Sequence, residues 1–83
     1  MDKLNAHLSY LKAEAVNKKT NIKESIPFLL QDVNNIYEGC CQDNIDYVSD
    51  SSAVRATETL RDILMELIEY NTIVDTIKKL EQN

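Results

Sequence analysis

From Ala53 to Ile77 the chain runs without a single Gly or Pro, and apolar residues recur in alternating steps of three and four: Ala53, Ala56, Leu60, Ile63, Leu67, Tyr70, Val74 and Ile77. That spacing marks one face of an α-helix. A helix over 52–79 would be about 42 Å long at the standard rise per residue. A compact globule of this chain length has a radius of gyration of only about 12 Å. So long a stripe therefore demands either an elongated molecule or a second chain lying against it.

The rest of the chain supports an all-helical reading. It holds one Gly, one Pro and no Trp in 83 residues. Strand-rich folds need many turns, and turns draw on Gly and Pro. The hydrophobic fraction of 43% is ordinary for a globular domain and too high for a disordered chain. One domain spanning 1–83 follows from the length. Its core would be built from Leu, Ile, Val and Ala, with Tyr at the edges.

Three helices are predicted, near 2–17, 25–47 and 52–79. In the first, Leu4, Leu8, Leu11 and Ala15 share a face, with Asp2 and Lys18-Lys19 suited to its dipole ends. Asn21 with Glu24 three residues on reads as a capping box. Pro27 is accommodated either in the first turn of a helix capped by Ser25, the preferred placement, or at a kink in a helix that starts near Asn21. Ile26, Leu30, Val33, Tyr37 and Cys40 or Cys41 then share a face. Gly39 is a possible helix end. An eleven-residue loop over 42–52 would follow, so a helix continuing to about Tyr47 is preferred. Ser51 or Ser52 is the expected cap of the last helix.

The long helix carries apolar residues on more than one side. Leu60, Ile63, Leu64 and Leu67 are expected to anchor the core. Met65 and Ile68 point roughly 100° to 160° away from them on the helical wheel. The fold expected is all-α: a three-helix antiparallel bundle, or a long helical hairpin with a short N-terminal helix, dimerising through the long C-terminal helix.

Chemistry is sparse. His7 is the only histidine and reads as a surface residue. Adjacent Cys40 and Cys41 are poorly placed to bridge each other and read as reduced, half-buried thiols. No Gly-rich phosphate loop and no HExxH, GxSxG or CxxC pattern occurs. Counting a calcium loop from Asp43 puts Val48 and Val54 where Gly and Glu are required. No cofactor or metal is expected, and no enzymatic activity.

The net charge of −5 and a pI near 4.7 disfavour nucleic acid and anionic membranes as partners. Neither a signal peptide nor a membrane-spanning run is evident, which points to the cytoplasm, a host's cytoplasm if the origin is viral. Abundant Asn, Ile and Lys hint at a viral or mobile-element genome. Glu58, Asp62, Glu66 and Glu69 form an acidic group at helical spacing. It reads first as a solvated helix face and, functionally, as a docking surface. The candidate interaction surface is thus Glu58, Asp62, Met65, Glu66, Ile68 and Glu69. The function expected is that of a non-enzymatic protein that binds another protein, as a regulator, inhibitor, adaptor or small chaperone. The alternative is a structural self-assembly unit whose only partner is itself.

Overall fold

Two helices build the described part of the molecule. The computed structural model describes residues 2–82, with α1 spanning Asp2–Cys40 and α2 spanning Asp50–Glu81. They pack antiparallel as a hairpin with extents of 67 × 16 × 15 Å and a radius of gyration of 19.1 Å. The elongation expected from the long stripe is present. The three-helix arrangement is not, because the first two expected helices are one.

Nothing in 18–25 breaks the helix. The segment holds neither Gly nor Pro, and the residues read as caps serve otherwise. The Thr20 hydroxyl donates to the Val16 carbonyl at 3.0 Å, and the Ser25 hydroxyl to the Asn21 carbonyl at 2.9 Å. Such back-bonding to the preceding turn belongs to a helix interior. Asn21 is no cap either: its side-chain amide reaches across to Glu66 Oε2 at 3.4 Å. Pro27 lies inside α1, twenty-five residues from its start, and not in a first turn.

α1 ends at Cys40, short of Tyr47. The Cys41 N–H bonds the carbonyls of Tyr37 and Glu38, and the Gln42 N–H bonds that of Gly39. Gly39 adopts no left-handed conformation. Its missing side chain serves packing instead, since a Cβ there would stand 3.0 Å from Val48 Cγ1. The loop folds back onto the last turn of α1 through that gap. Cys40 and Cys41 are free and exposed, not half-buried. Ser49, rather than Ser51 or Ser52, caps α2, with its hydroxyl accepting from the Ser52 N–H at 3.2 Å.

The contact between the helices is a single narrow seam. On α1 it runs Leu8, Leu11, Ala15, Lys18, Ile22, Ser25, Leu29, Asp32, Ile36, Gly39, every one buried or half-buried. On α2 it runs Ser52, Ala56, Thr59, Ile63, Glu66, Tyr70, Ile73, Ile77, Leu80, likewise shielded, with Val74 and Thr76 beside it. Both rows advance in alternating steps of three and four, the spacing of a coiled coil. The core expectation needs correction here. Of the four anchors, Ile63 alone is buried, at 6% exposure, while Leu60, Leu64 and Leu67 face outward. Among the described residues, Leu11 and Ala15 complete the buried apolar set. α2 packs with the ridge of Ser52, Thr59 and Glu66 turned inward, next to the apolar ridge that the stripe suggested.

Candidate functional site

The charged residues of the seam are paired. Lys18 Nζ bonds Glu69 and stands 3.6 Å from Glu66. One heptad pair further, Arg55 Nη2 meets Asp32 Oδ1 at 3.2 Å and Ser52 Oγ at 3.3 Å. Ser52, only 2% exposed, also receives a hydrogen bond from Ser49. These two layers fix the register, since a slip of one turn would break both at once. The hydrogen bond from Lys18 to Glu69, aided by the charges of Glu66, Glu69 and Glu14 against some desolvation, raises the lysine pKa above its ordinary 10.5.

The sign of that shift sets a pH dependence. The folded chain holds the Lys18 proton more tightly than the unfolded one. The stabilisation is complete below 10.5 and is lost as pH rises through the higher folded-state value. Urea midpoints of the wild type should therefore fall relative to those of Lys18→Met in strong alkali only. A constant difference between the two across that range would show that the lysine proton is not linked to folding.

One broad side of the hairpin is acidic. A cavity of about 560 Å³ is lined by Asn21, Glu24, Ser25, Phe28, Asp62, Met65, Glu66 and Glu69, with Ile22 and Ile63 at its floor. A neighbouring one of about 470 Å³ shares Phe28 and adds Asp32, Arg55 and Glu58. Phe28, 66% exposed, lines both cavities, and Met65, 56% exposed, lines the first. Among the described residues, Glu58 and Asp62 make no ion pair, whereas Glu66 and Glu69 share Lys18. Five of the six candidate residues thus lie on this side. Ile68 is exposed but lines neither cavity. Phe28 was missed, because only the helix pairing brings it to α2.

The opposite side is apolar. Ile26, Leu30, Val33 and Tyr37 on α1, and Leu60, Leu64 and Leu67 on α2, are all exposed. A groove of about 540 Å³ lies between the two rows, lined by Lys19, Ile22, Lys23, Ile26, Pro27, Leu67 and Tyr70. Lys19 Nζ sits 5.9 Å from the centre of the Tyr70 ring. Among the described residues, no three His, Cys, Asp or Glu side chains converge as a metal-binding group, and no helix is long and apolar enough to cross a membrane. No family model, no curated protein and no solved structure matches this chain.

Proposed function

We propose that this chain is a non-enzymatic helical protein of the cytoplasm that binds another protein through its acidic side. The observation that carries this reading is Phe28 and Met65, two large exposed apolar side chains from different helices, set among Glu58, Asp62, Glu66 and Glu69. An aromatic anchor beside a flexible Met, rimmed by charge, is the composition of a binding hot spot. The acids favour a basic partner and steer its approach. A regulator, inhibitor or adaptor works through such a surface without chemistry of its own.

Capture from a lysate of the source tests the reading. The wild type should retain a partner at low salt and release it as screening shortens the reach of the charges from about 10 Å at 0.1 M to about 3 Å at 1 M. The double change Glu58→Lys/Asp62→Lys disturbs no ion pair of the hairpin and should lose the partner while keeping full helicity. Recovery of nothing but the chain itself at both salt levels would make self-assembly the better account.

A further inference from the structure

We infer that the loop-proximal half of the apolar side, opposite the acidic one, is covered by a second copy of this chain, laid antiparallel about a two-fold axis near Val33 and Ala53 to give a short four-helix bundle. The inference is independent of the acidic-side reading. Surface area is its first support. The chain exposes 6728 Å². A compact monomer of 9.5 kDa exposes about 5,000 Å². The excess, about 1,700 Å², is within the share each subunit contributes to an obligate homodimer interface.

The packing of α2 is the second support. A lone hairpin would gain by rolling α2 so that Leu60 and Leu67 faced α1. Instead Thr59 and Glu66 occupy the seam and the leucines stay outside. The apolar ridge is free for another surface, and the matching ridge of Ile26, Leu30 and Val33 lies on the same side.

Charge and shape select a second copy and its register. Lys23 lies about 15 Å from Val33 along α1 at the helical rise per residue, and α1 ends at Cys40, about 10 Å from Val33 the other way, with the loop beyond it. A two-fold axis at Val33 therefore brings Lys19 and Lys23 of each copy to the loop of the other, where Asp43 and Asp46 stand exposed. The same operation carries Ile45 and Tyr47, both fully exposed, to the groove of Ile22, Ile26, Leu67 and Tyr70. Loop and groove are complementary in polarity and in charge. A two-fold axis uses each contact twice.

Analytical ultracentrifugation over a concentration series tests the inference. The wild type should sediment at twice 9.5 kDa. Val33→Glu sets two like charges together at the axis and should raise the dissociation constant about 100-fold or more. Met65→Glu, on the other side, should leave it unchanged. Lys19→Asp/Lys23→Asp should weaken the dimer, and so should Asp43→Lys/Asp46→Lys. The two pairs combined in one chain should restore it, an outcome that loss of folding cannot produce. A wild-type mass of 9.5 kDa at every concentration would overturn the inference. So would splitting by Met65→Glu but not Val33→Glu, or a combined charge swap that fails to recover the dimer.

Discussion

Replacing Ile63 by Ala should remove most of the hairpin's stability. Ile63 is the most deeply buried apolar side chain of the seam, at the level where Lys18 and Asn21 meet Glu66. Truncating a buried Ile to Ala costs about 2–5 kcal/mol. A domain this small, with one narrow seam, has only about 5 kcal/mol to lose. Urea denaturation followed by circular dichroism should show a partly unfolded protein in buffer. Val54→Ala removes an exposed side chain from the same helix and should stay within about 0.5 kcal/mol of the wild type. Equal effects at 63 and 54 would mean that the seam is not where the structure has it. Leu67→Ala separates folding from association. If Leu67 is covered by a second copy, its loss should lower the urea midpoint where the wild type is dimeric and should lose that effect on dilution to the monomer, whereas the Ile63 effect should persist at every concentration.

The contrast between Ile63 and Leu67 also shows what the sequence revealed and what it hid. The helical class was legible from the scarcity of Gly and Pro and from the uninterrupted spacing of three and four. So was the elongation. The choice of packing ridge was not. Two ridges flank Ala56, Ile63, Tyr70 and Ile77, one apolar (Ala53, Leu60, Leu67, Val74) and one largely polar (Ser52, Thr59, Glu66, Ile73). An apolar-stripe rule selects the first. The hairpin uses the second, because Lys18 and Arg55 supply partners that turn polar seam positions into register marks. Those partners lie 48 and 23 residues away, from Lys18 to Glu66 and from Asp32 to Arg55, beyond the reach of local periodicity. The acidic group was legible for a simpler reason. Asp62, Glu66 and Glu69, with Met65, follow one helix face, and one cavity gathers all four. The helix ends were misread where side chains have two uses. Ser25 and Asn21 look like caps, yet bond to the preceding turn or to the facing helix.

Pro27 offers the sharpest test of the single long α1. Pro costs about 3 kcal/mol relative to Ala in a helix interior, since its ring clashes with the preceding turn and its nitrogen has no hydrogen to donate. Here the residue deprived of a partner is Lys23, whose carbonyl would otherwise accept from position 27. Pro27 is exposed, so its replacement sacrifices little packing. Ala also frees the unfolded chain, which takes back about 0.4–1 kcal/mol. Pro27→Ala should therefore stabilise the hairpin by about 2 kcal/mol and raise the melting temperature by on the order of 10 °C. The comparison belongs in a Val33→Glu background, because Pro27 borders the groove assigned to the second copy. The gain is specific to an interior proline. In the first turn of a separate helix capped by Ser25, position 27 would have no intrahelical partner to lose, and the fixed φ of proline would favour the helix. Ala would then be neutral or harmful. A melting temperature unchanged or lowered by Pro27→Ala would thus divide α1 at Ser25, and with it the seam that runs unbroken from Leu8 to Gly39.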